Sequence, residues 1–200
     1  MTRSTREAAR SLRTTAQEQG GYFTAKQAKG SGYDYPHLEY HLSTGAFERV
    51  EHGLYRLTDV PTAENEDLIR LSLWSRNRAD EPQAVVSHES ALVLHDLSEL
   101  LPNEIHLTVP SGFRKAPPDG CVLHKAALLP ADVEERIGFR VTTPLRTLLD
   151  VAAGTTSQEQ LEKAVGEALE RGLIRKSKLV AEVRQAPELD RLKRVLGQGR

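Results

Sequence analysis

The sequence contains a single cysteine, Cys121, among its 200 residues. One cysteine excludes an internal disulfide framework and cannot build a thiolate metal site alone. Aromatic residues make up only 5% of the chain, so no aromatic cage or stacking platform is obvious. No apolar run approaches the roughly eighteen residues that would span a bilayer, and the basic segment MTRSTREAARSLR lacks the apolar stretch of a signal peptide. We therefore expect a cytoplasmic protein.

The chain also lacks an excess of positive charge. Its formal net charge is −1 at pH 7, which argues mildly against a dedicated nucleic-acid binder. Residues 1–60 hold eight Lys and Arg side chains against seven Asp and Glu, and four of those eight lie in the first thirteen residues. If this region binds a polyanion, the position of its charges matters more than their total.

The first predicted helix spans residues 4–19. Ala8, Leu12 and Ala16 repeat at helical spacing, and Gly20 ends the pattern. The basic residues that fall largely on one side of this helix are Arg3, Arg6, Arg10 and Arg13. Two interpretations stay open, a solvated face and a set of phosphate contacts beside a DNA reader.

The chain is organised around residues 21–57. Thr24 and Gln27 have the spacing of a capping box, in which the threonine hydroxyl accepts the Gln27 backbone N–H and the glutamine side chain reaches back. The helix that they open is short, because Gly30 and Gly32 follow it. This short helix would be the first of a helix-turn-helix.

A second helix is predicted over residues 35–44. Leu38 and Leu42 are four residues apart, so they share one face, which we expect to meet the core. The positions that then point away are Pro36, His37, Tyr40 and Thr44, with His41 on the flank. In a helix-turn-helix, this outer face lies in the major groove of DNA.

Two β-rich runs, FERVE and LYRL, flank the turn at His52 and Gly53 and predict a hairpin. Helix, turn, helix and hairpin together are the outline of a winged helix-turn-helix, with the turn as the tip of the wing. The alternative is a small α+β subdomain whose hairpin only covers the core. The predicted DNA-binding residues are Thr24, Lys26, Gln27, Tyr35, His37, Tyr40, His41, Arg49, His52 and Arg56.

The predicted fold class is α+β, with a winged helix-turn-helix over residues 1–60 followed by a mixed α/β domain over residues 61–200. Pro61 and its polar neighbours mark the boundary. Thr62 and Ser87 are expected to cap the next two helices, the first running to about residue 78. Further strands are predicted over residues 104–109, 121–124 and 136–142, and Thr143-Pro144 marks another helix start.

Several segments resemble one protein family. GGYFTAKQA and HGLYRL look like the N-terminal domain of the AbiEi-type antitoxins of bacterial abortive-infection systems, and VVSHESALVLHDLSELLPNEIHLTVP resembles the start of their second domain. VTTPLRTLLDVA with LEKAVGEALERGLI resembles a segment shared with a wider group of actinobacterial proteins, some of which carry a very-short-patch-repair-like nuclease domain.

The resemblance implies a type IV antitoxin that represses its own operon by binding an inverted repeat in the operator DNA. It also implies that the chain counteracts a nucleotidyltransferase-like toxin without forming a stable complex with it, and it leaves a homodimer on DNA open. The chain departs from the family pattern in its charge, because Tyr40, His41, Glu51 and His52 stand where more basic residues are typical. We therefore expect weak non-specific affinity that strengthens as pH falls through about 6.5.

The seven histidines raise the question of a metal site or acid–base chemistry. His88 and His95 share a helix face, whereas His106 and His124 lie on different predicted strands, and a zinc site needs three or four converging ligands. No acidic cluster with an E-x-K-type motif follows TTPLRTLLDVA, so a nuclease lacks its usual metal ligands. We expect structural histidines, no cofactor and no enzymatic activity. Two alternatives stay open: a nucleic-acid-processing enzyme, and a module whose winged helix binds a partner protein.

Overall fold

The computed structural model describes residues 5–99, 102–186 and 189–197. Its helices are α1 (Thr5–Glu18), α2 (Ala25–Ser31), α3 (Tyr35–Ser43), α4 (Glu66–Ser75), α5 (His88–Leu94), α6 (Pro144–Ala153), α7 (Gln158–Glu170), α8 (Lys176–Gln185) and α9 (Asp190–Val195). Its strands are β1 (Tyr22–Thr24), β2 (Phe47–Glu51), β3 (Leu54–Leu57), β4 (Val85–Val86), β5 (Ile105–Val109), β6 (Cys121–Lys125), β7 (Val133–Arg136) and β8 (Phe139–Thr142). None of the helices in the described ranges is long and apolar enough to cross a membrane.

The chain forms two compact units. One takes the residues up to Pro82 together with Arg136–Phe139, and the other takes the remainder. The first contains the helix-turn-helix and the hairpin, and the second mixes helices with a five-stranded sheet. The predicted α+β class, an N-terminal winged helix-turn-helix followed by a mixed α/β domain, is confirmed.

The first unit has a three-stranded antiparallel sheet in the order β1-β3-β2, against which α1, α2 and α3 pack. Leu12 and Ala16 of α1 enter the core, as their spacing predicts. Phe23 of β1 is fully buried and stacks on Tyr55 of β3, with ring centroids 5.7 Å apart. Strand β1 is three residues long and was not predicted, since so short a run has no periodicity of its own.

Side-chain caps set the two helices of the helix-turn-helix. The predicted capping box is confirmed: the Gln27 N–H donates to Thr24 Oγ1 at 3.1 Å, and the Thr24 N–H donates to Gln27 Oε1 at 2.9 Å. Asp34 caps α3 by accepting the His37 backbone N–H, and Pro36 occupies the first turn of that helix. Gly53 adopts a φ of +76° at the tip of the wing, a conformation that glycine adopts without strain.

Helix α4 differs from its prediction. It starts at Glu66 with Asn65 at its N-cap, and the prediction that Thr62 caps it is wrong, because the Thr62 hydroxyl accepts a hydrogen bond from Arg56 instead. The helix belongs to the first compact unit, although we expected a second domain from residue 61. Tyr22 donates its hydroxyl hydrogen to Glu66 at 2.7 Å, and burial followed by this bond raises the pKa of Tyr22 to about 12.

The second unit contains a sheet in the order β6-β5-β4-β8-β7. Strand β4 pairs antiparallel with β5 and parallel with β8, and β5 pairs parallel with β6. The single strand predicted over residues 136–142 is wrong, because Ile137 and Gly138 form a turn between β7 and β8. Gly138 has a φ of +80°, which an extended strand does not accommodate.

Helices α5, α6, α7, α8 and α9 of the second unit share one hydrophobic core. The predicted helix start at Thr143-Pro144 is confirmed, since Thr143 accepts the Arg146 backbone N–H. Ser87 is the N-cap residue of α5 but makes no side-chain capping bond. Its hydroxyl accepts from Thr108 Oγ1 at 2.8 Å and lies 2.9 Å from His88 Nδ1.

Candidate nucleic-acid interface

The outer face of α3 is exposed along its length. Leu38 is buried and Leu42 is partly buried, whereas Pro36, His37, Tyr40 and Thr44 are exposed, as the helical spacing predicts. Tyr40 is 62% exposed and Tyr35, on the flank, is 69% exposed. Large side chains this open to solvent do not contribute to a core, so they are available to a binding partner.

Tyr40 is the last member of an aromatic series that begins in the core. Phe23 meets the edge of Phe47 at 5.1 Å, Phe47 stacks on His41 at 4.6 Å, and His41 meets the edge of Tyr40 at 5.3 Å, all between ring centroids. Burial, followed by the charge of His37, lowers the pKa of His41. His41 therefore acts as a neutral packing element, and the aromatic series holds the Tyr40 ring against the body of the unit.

The residues at the start of α3 are linked by polar contacts. His37 Nδ1 lies 2.8 Å from Asp34 Oδ1. The Tyr35 hydroxyl bonds Glu39, which raises the pKa of Tyr35. The sequence YPHLEYHLS of this helix contains no lysine or arginine, so its exposed positions offer hydroxyl, imidazole and apolar groups and the carboxylate of Glu39.

The predicted residues of α2 have internal roles. Thr24 and Gln27 are occupied by the capping box, and the Gln27 side chain also donates to Gln19 Oε1 at 2.9 Å. Buried Gln19 accepts a further hydrogen bond from Arg76 of the segment after α4, at 2.6 Å. Lys26 is exposed and donates to the Arg78 carbonyl at 2.6 Å. This network fixes the first helix of the helix-turn-helix. Of the three predicted contact residues Thr24, Lys26 and Gln27, Lys26 is the one whose side chain is exposed to solvent.

The wing presents Arg49 and His52. Both side chains are exposed, and Arg49 Nη2 lies 3.4 Å from His52 Nδ1. Arg56, on the neighbouring strand, is turned inward, donating to the Val60 carbonyl at 2.7 Å and lying 3.7 Å from Glu48 Oε2. Arg56 therefore fastens the hairpin to the segment that follows it.

Two acidic residues near this surface form ion pairs with arginines. Arg70 pairs with Glu51, and Arg13 binds Asp59 at 2.7 Å. The exposed cations of α1, by contrast, are Arg6 and Arg10, for which the described part of the chain provides no ion-pair partner. Arg3 lies outside the described residues. Each of these pairs also neutralises an arginine, so Arg6 and Arg10 are the α1 cations that stay available to a polyanion.

Comparison with known families identifies the group to which this architecture belongs. A family model described as a transcriptional regulator, AbiEi antitoxin, matches residues 10–58. A second, the AbiEi antitoxin C-terminal domain, matches residues 84–198, more than half of the chain. The chain belongs to the AbiEi antitoxin family. It is thus an antitoxin and transcriptional regulator with a DNA-binding N-terminal domain, and the resemblance read from the sequence is confirmed.

The first of the AbiEi matches covers the helix-turn-helix and the wing, and α4 lies between the two matched regions. Among solved structures, the crystal structure of the Rv2827c protein from Mycobacterium tuberculosis is similar with a TM-score of 0.48 and 16% sequence identity, covering 100% of this chain and 84% of that chain. A search of curated proteins gives no match.

In the AbiEi C-terminal region, three histidines that the sequence gave no reason to group come together. His88 of α5 stacks on His124 of β6 with ring centroids 3.6 Å apart, and His106 Nδ1 lies 3.0 Å from His124 Nε2. Glu89 Oε2 lies 3.4 Å from His106 Nδ1, and Thr156 donates to the same carboxylate. We call His88, Glu89, His106 and His124 the histidine cluster.

Burial, and then the charge of His124, lowers the pKa of His88 to about 4. Burial also lowers the pKa of His124, with His106 as the next cause. His88 has a positive φ of 51°, which is uncommon outside glycine and costs conformational energy. Within the described residues, no group of three or more His, Cys, Asp and Glu side chains is arranged to hold a metal ion.

The register of β5 and β6 explains why sequence reasoning missed the histidine cluster. Thr108 pairs with His124 and His106 with Val122, so the two histidines are on the same face of adjacent parallel strands. Parallel register is set by the crossover between strands, and eleven residues without a periodic pattern (residues 110–120) join these two. The sequence feature that could have indicated the histidine cluster is the Ser-His-Glu run at the start of α5.

Proposed function

We propose that this AbiEi antitoxin represses its own operon by placing α3 in the major groove of an inverted repeat, and that it counteracts a nucleotidyltransferase-like toxin without forming a stable complex. The observation that carries the DNA-binding half is the exposed outer face of α3, with Tyr40 held by the aromatic series. The second helix of a helix-turn-helix presents such a face to base edges.

The contact residues in this proposal divide by role. Tyr35, His37 and Tyr40 face the groove, and Lys26, Arg49 and His52 contact phosphates or the minor groove from α2 and the wing. The residues that position them are Thr24, Gln27, His41 and Arg56. Arg6 and Arg10 of α1 supply further phosphate contacts. Because so few cations are available, sequence-independent affinity is weak, and it falls less steeply with salt than that of a strongly basic DNA-binding protein.

The DNA-binding half is tested by an electrophoretic shift with the region upstream of the protein's own gene and with a scrambled duplex of equal length. We expect salt-sensitive binding with a clear preference for the upstream region, mapped to two half-sites by footprinting. The double variant Tyr40→Ala, His41→Ala is expected to lose the preference. Equal affinity for both duplexes would rule out specific operator recognition by this chain.

The antitoxin half is tested in cells that express the toxin encoded beside this gene. Co-expression of the full chain is expected to restore growth, whereas the two purified proteins elute separately in size-exclusion chromatography. The Tyr40→Ala, His41→Ala variant serves as control, because an antitoxin that acts without operator binding still restores growth when both genes are driven by a foreign promoter. Growth arrest that persists with wild-type antitoxin contradicts the proposal.

A further inference from the structure

Helix α3 lacks the lysine and arginine side chains that most often recognise guanine. Arginine and lysine are the residues that bind guanine O6 and N7 in the major groove, and α3 contains neither. Its outward positions combine polar His37 and Thr44 with the apolar ring of Pro36 and the ring of Tyr40, one helical turn further on. The apolar part of this face is complementary to an apolar feature of the base edges.

In the major groove, that feature is the C5-methyl group of thymine, because the other base-edge groups that distinguish the pairs are hydrogen-bond donors and acceptors. We propose that Tyr40 is a specificity-determining residue that packs against the methyl group of a thymine in each operator half-site. This inference rests on the proposed repressor function and names the base that its reading helix selects.

The aromatic series explains why Tyr40 can discriminate. An exposed tyrosine that is free to rotate loses conformational entropy on binding, which opposes a contact as small as one methyl group. Here the ring already meets His41 edge-on at 79°, and His41 stacks on buried Phe47. The contact surface is therefore aligned before DNA binds, as specificity between nearly identical bases requires.

The test uses the full chain and the footprinted operator duplex, in which each thymine of both half-sites is replaced in turn by deoxyuridine. The replacement removes the methyl group and leaves every hydrogen-bonding group in place. Burial of one methyl group predicts that one substituted position weakens wild-type binding about fourfold. Tyr40→Ala is expected to bind the thymine and uracil duplexes equally, and Tyr40→Phe to retain the wild-type ratio.

Arg49→Gln is the matched control, because a phosphate contact carries no base information. It is expected to weaken binding to the thymine and uracil duplexes by the same factor, so the ratio stays at about four. Melting temperatures verify that the variants are folded. Because Tyr40 is exposed, we expect its substitution to leave the melting temperature unchanged.

Two results overturn the inference: a wild-type protein that binds every uracil duplex as tightly as the thymine duplex, or a Tyr40→Ala variant that keeps the wild-type ratio. Both leave operator preference over scrambled DNA intact. Failure of the repressor function is a separate result, namely the absence of that preference in the wild-type protein.

Discussion

In the proposed DNA complex, His41 supports base recognition without contacting a base itself. Its ring lies between Phe47 and Tyr40, and its lowered pKa keeps it neutral at physiological pH. Protonation would place a cation in this aromatic contact, and the lowered pKa moves that event below 6.5. His41 therefore contributes less than an unperturbed histidine to any strengthening of DNA binding near pH 6.5.

We expect His41→Ala to weaken operator binding by about three- to tenfold, because Tyr40 loses the ring that aligns it and must be ordered on binding at roughly 0.5–1.5 kcal/mol. His41→Phe restores a flat ring of similar size and is expected to bind within about twofold of wild type. Fluorescence anisotropy with the operator duplex measures both. If the phenylalanine variant binds as poorly as the alanine variant, His41 contacts DNA directly.

Gly20 is a position where the absence of a side chain allows close packing against Ile69 and Ala63. Its φ is +62°, and a Cβ atom would lie 2.7 Å from Ile69 Cδ1 and 3.1 Å from Ala63 Cβ. Gly20→Ala is therefore expected to lower the free energy of unfolding by about 2–3 kcal/mol, combining backbone strain with overpacking.

Gly45→Ala is the control, since Gly45 has a similar φ of +73° with open space around it. It is expected to cost only the backbone part, about 1 kcal/mol. Urea unfolding followed by circular dichroism compares the two variants. Equal losses would show that Ile69 moves aside without penalty.

At the scale of secondary-structure elements, the histidine cluster joins α5 to strands β5 and β6. The pKa of His88 is about 4 in the folded protein, against about 6.5 in an unfolded chain. Between these values the unfolded state binds more protons, so stability is full above pH 6.5 and is lost as pH falls toward 4. The full difference corresponds to about 3 kcal/mol, and because solvent screens the partly exposed His88 ring, we expect a loss on the order of 1–2 kcal/mol across this window.

The urea midpoint, measured by circular dichroism at several pH values between 7.5 and 4.5, checks this expectation. His88→Asn removes the titrating ring at a backbone conformation that asparagine tolerates, so its curve is expected to be flatter than that of wild type. His52→Asn, an exposed histidine of the wing, is expected to follow the wild-type curve. A His88→Asn curve that parallels wild type assigns the acid sensitivity to other groups.

The elements also show what a sequence can reveal. Thr24 with Gln27 and Leu38 with Leu42 were correctly predicted because capping and helical spacing depend on residues three or four apart. Strand β1 and the histidine cluster were not predicted, because the strand that pairs with β1 and the residues that form the cluster are far apart in the chain. The inward turn of Arg56 toward Val60 and Glu48 was not foreseen either, although these partners are close in the chain.

At the scale of the whole molecule, the functional N-terminal unit is longer than its motif. Helix α4 supplies Ile69, which is buried, and Glu66, which accepts the Tyr22 hydroxyl hydrogen. Arg76, directly after α4, completes the network around Gln19. A winged helix cut at residue 60 loses all three contacts.

A fragment of residues 1–82 is therefore expected to be more stable than one of residues 1–60. Burial of an isoleucine alone contributes about 1.5–3 kcal/mol, and the Gln19 side chain loses a charged hydrogen-bond donor in the shorter fragment. Thermal unfolding followed by circular dichroism compares the two, with Ile69→Ala in the longer fragment as an intermediate case. Equal melting temperatures would show that the stable N-terminal unit ends at about residue 60.

The aromatic series has a practical consequence for any attempt to change the DNA sequence that this transcriptional regulator recognises. Substitution of Tyr40 alone leaves His41 and Phe47 arranged for a tyrosine edge. Transplantation of α3 into another winged helix separates His41 from Phe47 of β2, on which it stacks. In a library confined to α3, most variants would thus have a side chain at position 40 that its neighbours do not position. Libraries that vary positions 40, 41 and 47 together are the ones expected to yield new specificities.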